Sequence, residues 1–377
     1  MKSQLLPEGF RDCLPDIAEL EHNINSIYLN QMKTNGFKLV KPPLIEFENS
    51  LFSLRKDKEN IDSFRVMDPL TQKIMGIRSD ITMQIARISC GSLSNAMRPL
   101  RLCYSGEVLK VKHNNINLSR QFTQIGAEII GVEKNFCLSE LINLIIEILA
   151  KLGIKKIIIN FSMPNLINLI SKDLKLTKSD LDILINCYRN KNLYDIKKIS
   201  EKLYKISDFL LENIGKIEEK FENIKKYNFP KNIGLEIANF IKQIKKIKDE
   251  FSNYEIIIDP LEIDESNYHS GFCFKVYTEN SREIFSGGGY KVYDEKCVGF
   301  SGFLENLILE SRLKNKVIRK ILVPYNLDIK KKEKIQKNKN LIVVKATKFL
   351  NKNQLIKEAK RQQCEFYFFD DLVNGVS

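Results

Sequence analysis

The residues best placed to do chemistry fall in two short stretches of this 377-residue chain. One is Ile-Arg-Ser-Asp-Ile-Thr at 77–82, which contains Asp80 and Thr82; the other is 121–130, which contains Gln124 and Glu128. The second stretch reads as a strand, and side chains alternate between the faces of a strand, so Gln124 and Glu128 share one face. A carboxylate taken out of water is costly unless it is paired or hydrogen-bonded. Asp80 and Glu128 therefore suit a cationic or hydrogen-bonding ligand, or are satisfied by neighbouring donors within the core. The triplet Gly287–Gly289 is on its own no more than a turn signal.

Other chemistries lack their residues. Cysteines stand at 13, 90, 103, 137, 187, 273, 297 and 364 with no C-x-x-C pair, and there are only three histidines, so no zinc site and no cofactor is expected. The cysteines read as reduced, mostly buried thiols of a cytoplasmic protein. The net charge of +13 raises the question of nucleic acid. Its lysines are scattered among Asn and Ile, as in 216–248 and 330–339. They lack the arginine forks interleaved with aromatics that phosphate recognition favours, so a solvated face is expected and nucleic acid is not. The start of the chain has no apolar signal-peptide core, and the apolar stretch 138–161 is broken by Glu140, Glu147, Lys151, Lys155 and Lys156, so no membrane span is expected.

These residues need elements to hold them. Ile17, Leu20, Ile24, Ile27 and Met32 form one stripe of a helix over 16–35 that Asn35-Gly36 ends. Extended chain follows at 37–47, a hairpin at 64–77, a helix at 81–89, and strands at 100–104, 108–112 and 121–130. A helix at 138–152 precedes a buried strand at 154–161. From 165 to 252 Leu and Ile recur at helical spacing. Strands return at 254–258, 271–277 and 282–286, a helix spans 303–314, and strand-like 321–324, 341–344 and 366–369 are separated by basic helices. The expected plan is α+β: a mostly antiparallel sheet flanked by helices, in a discontinuous core of 1–164 and 253–316, with a helical insertion at 165–252 and a small α/β tail at 317–377.

Residues 104–126, YSGEVLKVKHNNINLSRQFTQIG, align without a gap with motif 2 of histidyl-tRNA synthetase, and the chain resembles that class II aminoacyl-tRNA synthetase family. Six further matches occur in the family's order: LPEGFRDCLP at 6–15, the motif 1 region at 36–43, IRSDIT, YHSG at 268–271, GGGY at 287–290 and GFSGFLENL at 299–307. The resemblance implies a class II synthetase-like sheet and an amino-acid pocket. Asp80 and Thr82 match the residues that meet the ligand's ammonium, Gln124 and Glu128 those that face its carboxylate and imidazole, and Tyr290 the tyrosine of G-G-R-Y; His269 replaces the second tyrosine of Y-Y-T-G.

The nucleotide side departs from the pattern. Lys110, Asp264 and Asn306 stand where the family has arginine, Lys112 where it has the adenine-binding glutamate, and Leu118 replaces the first loop arginine while Arg120 keeps the second. Losing one well-placed donor removes roughly 3–4 kcal/mol of transition-state stabilisation, and adenylyl transfer is mainly electrostatic positioning. This pattern is similar to the ATP phosphoribosyltransferase regulatory subunit family, a synthetase-like group without aminoacylation. What the resemblance implies is a non-catalytic, allosteric subunit in the first step of histidine biosynthesis, with histidine as feedback effector. The implied partners are a short-form ATP phosphoribosyltransferase catalytic subunit, in a hetero-oligomer that could be a hetero-octamer, and a second copy through motif 1. The rivals are an active histidyl-tRNA synthetase, a related ligase or a tRNA-sensing module.

Overall fold

The computed structural model describes residues 5–51, 63–112, 118–132, 137–263, 269–314, 319–339 and 341–376. It divides into two compact units, Met1–Leu313 and Lys314–Ser377.

The first unit opens with helix α1 (Pro15–Thr34), strands β1 (Lys38–Leu39) and β2 (Ile45–Phe47), α2 (Glu48–Leu51), β3 (Arg65–Met67) and β4 (Ile74–Ile77). Then come α3 (Thr82–Cys90), β5 (Leu100–Leu109), β6 (Gln121–Ile130), α4 (Cys137–Lys151) and β7 (Ile157–Ser162). A helical stretch follows: α5 (Leu166–Asp173), α6 (Lys178–Asn190), α7 (Ile196–Ile199), α8 (Glu201–Glu212), the two-residue β8 (Gly215–Lys216), α9 (Ile217–Lys226) and α10 (Lys231–Glu250). The chain returns through β9 (Glu255–Asp259), β10 (His269–Thr278), β11 (Glu283–Val292), β12 (Glu295–Phe303) and α11 (Leu304–Glu310).

Nine strands make the main sheet, in the order β1-β5-β6-β12-β11-β10-β7-β9-β8. It is antiparallel except where β1 joins β5 and β7 joins β9. β2, β4 and β3 form a separate antiparallel sheet. The strands expected at 100–104 and 108–112 are one strand, β5, which ends at Leu109. Gly106 permits this, because a Cβ there would collide with the guanidinium of Arg78, whose Nε donates to the Glu107 carbonyl at 2.7 Å.

One face of the sheet is sealed by α1 and α4. Pro15 occupies the first turn of α1, where its missing N–H is no loss, and Gly36 (φ 80°) turns the chain out after Asn35. Ile24, Tyr28 and Met32 are fully buried, as are Leu141, Ile145 and Ile148 of α4. The Tyr28 hydroxyl donates to the Gly126 carbonyl at 2.6 Å, which fixes α1 against β6. In the helical stretch a capping box at Thr177 and Asp180 starts α6, and the buried Tyr188 and Ser207 hydroxyls meet at 2.8 Å.

The second unit contains β13 (Lys320–Val323), α12 (Ile329–Lys339), β14 (Ile342–Lys345), α13 (Lys352–Arg361), β15 (Phe366–Phe369) and β16 (Leu372–Gly375). Its sheet order is β14-β13-β15-β16, parallel except for the final hairpin. Residues 314–377 contain sixteen lysines and arginines against six acids, so this unit carries most of the chain's positive excess.

Candidate functional site

The open face of the main sheet carries a cavity of about 100 Å³, lined among others by Thr82, Glu128, Glu262, Lys275, Ser286 and Tyr290. The sheet register explains its shape. One row across the sheet runs Glu128, Gly299, Gly288, Cys273 and Ser162. The next row on the same face runs Gly126, Ser301, Ser286, Lys275 and Asn160. Glycine and serine at the centre keep the floor low. A Cβ on Gly299 would collide with the Glu128 carboxylate, and one on Gly288 would press on the Cys273 sulfur at 2.9 Å.

Glu128 is 1 % exposed and lies at the deep end of the cavity. The Tyr290 hydroxyl donates to its Oε2 at 2.8 Å and the Tyr104 hydroxyl to its Oε1 at 3.3 Å. Tyr104 in turn shares a 2.9 Å hydrogen bond with the Thr82 hydroxyl. Burial pushes the Glu128 carboxyl up to about 8; the Tyr290, Tyr104 and Thr82 hydroxyls pull it back and Asp80 pushes it further. The carboxyl is therefore mainly protonated at neutral pH and can both donate and accept.

Asp80, Thr82 and Gln124 come together on the same side. Asp80 Oδ1 accepts from the Thr82 backbone N–H and from Gln124 Nε2, both at 2.9 Å, while Gln124 Oε1 accepts from the Ile81 N–H at 2.8 Å. These bonds fix the start of α3 against β6. The His269 backbone lies in β10 opposite Tyr290. Asp264 is outside the described residues.

The positions that carry arginine in synthetases do other work here. Lys110 lies over the rings of Phe303 and Phe122, 4.4 and 5.6 Å from their centroids. Lys112 is exposed just beyond β5. Asn306 donates from Nδ2 to the Glu283 carbonyl at 2.9 Å and so ties α11 to β11. Arg120 stacks over Phe64, 4.6 Å from its centroid. Arg78 is 6 % exposed and bonds the Glu107 and Pro42 carbonyls, a role in the scaffold. Among the described residues no arginine lines the cavity, and no group of His, Cys, Asp and Glu is placed to hold a metal ion. None of the eight cysteines is in a disulfide, and five are buried. No helix among the described residues is long and apolar enough to cross a membrane.

Sequence reasoning missed Tyr104, Glu262 and Lys275. A signal for Lys275 was present: it interrupts the apolar run Phe272–Tyr277, where an interior strand position with a charge calls for a partner. Its ammonium lies 2.7 Å from Glu262 and 3.5 Å from Glu283.

The family model for histidyl-tRNA synthetase matches residues 9–307. Among curated proteins, the ATP phosphoribosyltransferase regulatory subunit of Gluconobacter oxydans is 30% identical over 299 residues, 79% of this chain and 78% of that protein. The protein of the same name from Rhodospirillum rubrum is 29% identical over 76% of this chain and 75% of its own length. Among solved structures, an ATP phosphoribosyltransferase regulatory subunit/histidyl-tRNA synthetase from Bacillus halodurans superposes with a TM-score of 0.76 at 20% identity, covering 92% of this chain and 93% of that one. A histidyl-tRNA synthetase from Nostoc gives 0.72 at 17% identity, covering 97% and 91%. These two structures establish the class II synthetase-like fold.

Proposed function

We propose that this chain, which belongs to the ATP phosphoribosyltransferase regulatory subunit family of histidyl-tRNA synthetase-like proteins, is a non-catalytic subunit that binds histidine and passes its presence to a partner enzyme. One contrast carries the reading. The Glu128–Tyr290–Tyr104–Thr82 network still furnishes a polar pole for an amino acid, while among the described residues no guanidinium lines the cavity to hold a triphosphate. In this reading Asp80, Thr82, Gln124, Glu128, His269 and Tyr290 form the histidine site, and Lys110, Lys112, Asp264 and Asn306 are lost catalytic positions.

The partner is a short-form ATP phosphoribosyltransferase in the cytoplasm, at the first step of histidine biosynthesis. Histidine shifts the assembly between active and inhibited states through its different affinity for each. A second copy docks through the motif 1 region at 36–43, beside which Ile45, Phe47 and Val66 leave one face of the small sheet apolar and in water. Residues 165–252 act as an inserted helical unit of the core, and 317–377 as a separate small domain.

Two assays test this together. Alone, the chain should give no histidine-dependent exchange of pyrophosphate into ATP; mixed with a short-form catalytic subunit, it should co-elute as a heteromer and raise that subunit's turnover. Robust exchange, or elution as separate species, would overturn the proposal.

A further inference from the structure

The open face of the main sheet changes character just beyond the cavity floor. On that face the paired positions of β6 and β12 run Glu128 with Gly299, Gly126 with Ser301, and Gln124 with Phe303. Each step of two residues keeps to one face and advances roughly 7 Å along the strand. From Gly299 to Ser301 the floor is low and lines the cavity. The next step brings up the ring of Phe303, and Phe122 stands two residues before Gln124 on the same face of β6.

The two rings make a wall. Their centroids are 5.1 Å apart with the planes tilted by 47°, and Phe122 is buried. The Lys110 ammonium lies over both faces, 4.4 Å from the Phe303 centroid and 5.6 Å from that of Phe122, a placement the electron-rich rings favour. The backbone under the wall is tied down on three sides. The Lys110 N–H donates to the Arg120 carbonyl at 2.8 Å, and the Thr123 N–H donates to Glu305 Oε1 at 2.9 Å. Asn306, one turn into α11 after Phe303, donates to the Glu283 carbonyl at 2.9 Å. Lys110 and Asn306 are two of the positions at which the synthetase pattern has arginine, so the wall stands on the nucleotide side of the site.

We propose that Phe303, backed by Phe122 and Lys110, restricts the site to a free amino acid. A head group held by Asp80, Thr82 and Gln124 ends beside Phe303, because Gln124 and Phe303 are partners across β6 and β12. A nucleotide joined to the ligand's carboxylate would have to lie where the Phe303 ring and the Lys110 ammonium stand. Replaced arginines remove attraction for a nucleotide; the wall adds a clash, which acts even on an aminoacyl adenylate offered ready-made. This assignment rests on the reading of the cavity as a histidine site and specifies which residues select the free amino acid over its adenylate.

Calorimetric titration of the full chain with L-histidine and with the stable sulfamoyl analogue of histidyl adenylate tests it. The wild-type chain should bind histidine at least roughly tenfold tighter than the analogue, the scale on which a badly fitting group is rejected. Phe303→Ala, which removes the ring, should raise the affinity for the analogue relative to that for histidine by at least roughly tenfold. Should Phe303→Ala fail to fold, Phe303→Val takes its place; it keeps an apolar strand residue and should move the ratio in the same direction by a smaller factor. A wild-type chain that binds the analogue as tightly as histidine, or a ratio that the folded variant leaves intact, would overturn the role of Phe303 alone. Binding of neither ligand by wild type or variant would sink the histidine site itself.

Discussion

Replacing Glu128 by glutamine should remove a large part of the protein's pH dependence of stability. The carboxyl titrates at about 8 in the fold against an ordinary 4.5, because burial disfavours its charged form. A carboxyl raised in this way contributes its stability in full below pH 4.5 and loses it as pH rises through 8, since the folded chain holds a proton that the unfolded chain has released. At about 1.4 kcal/mol per pH unit, the whole window is worth about 5 kcal/mol. Between pH 6 and pH 8 the loss is about 2 kcal/mol, because the folded carboxyl is itself half ionised at the upper end. Glutamine keeps an acceptor for the Tyr290 hydroxyl and has no proton to lose. Urea unfolding of both proteins at pH 6 and pH 8 gives the comparison. Relative to wild type, Glu128→Gln should gain about 2 kcal/mol over that interval. Parallel stabilities would mean that Glu128 ionises normally, and the account of a dry, neutral pole would fail.

A methyl group at Gly299 should close the site: Gly299→Ala would drive its Cβ into the Glu128 carboxylate and within 2.9 Å of the Ala127 carbonyl. It should lower stability by about 1–3 kcal/mol and abolish histidine binding in calorimetry; unchanged binding would place the ligand elsewhere. Glu305→Gln should stabilise the protein at pH 8 by about 1–3 kcal/mol and far less at pH 4.5, read from urea midpoints. Burial, with Glu21 and Glu107 nearby, raises the Glu305 carboxyl to about 7, and among the described residues its buried Oε2 has no hydrogen-bond partner. The Thr123 hydroxyl lies 2.8 Å from both Glu21 Oε1 and Glu107 Oε1, and its one hydrogen serves only one of them, so carboxylates crowd the surroundings of Glu305. A destabilised Glu305→Gln variant at pH 8 would contradict this.

Local pattern carried much of the fold. The apolar stripe of α1, its Asn35-Gly36 stop and the apolar density of α4 are properties of short segments, and they are legible in the letters. The hairpin at β15–β16 was not read, because its turn is Asp370-Asp371, with φ of 49° and 60°, in place of the more familiar Asn-Gly. The helix expected to reach residue 314 ends at Glu310, where Ser311 turns extended. β10 and β11 run longer than expected because their cavity ends carry glycine, serine and histidine in place of apolar alternation.

Within the site, Glu128, Thr82 and Tyr290 were accessible through motif resemblance, and the structure brings them together. Tyr104 and Lys275 were not, since their roles depend on which strands lie side by side. Tyr104 can reach Glu128 because Gly126 opposite it leaves room for the ring. Lys275 meets the same cavity only through the order β6-β12-β11-β10, which brings together segments about 150 residues apart in the chain.

The most direct measurement is the histidine inhibition curve of the mixed assembly, taken with wild-type chain and with Glu128→Ala, which removes the polar group outright, under the same conditions. The account expects turnover of the catalytic partner to fall as histidine fills the wild-type cavity, and the curve to shift to at least tenfold higher histidine in the variant. Coincident curves would contradict it, because histidine would then be acting without touching the pocket that this chain shares with its synthetase relatives.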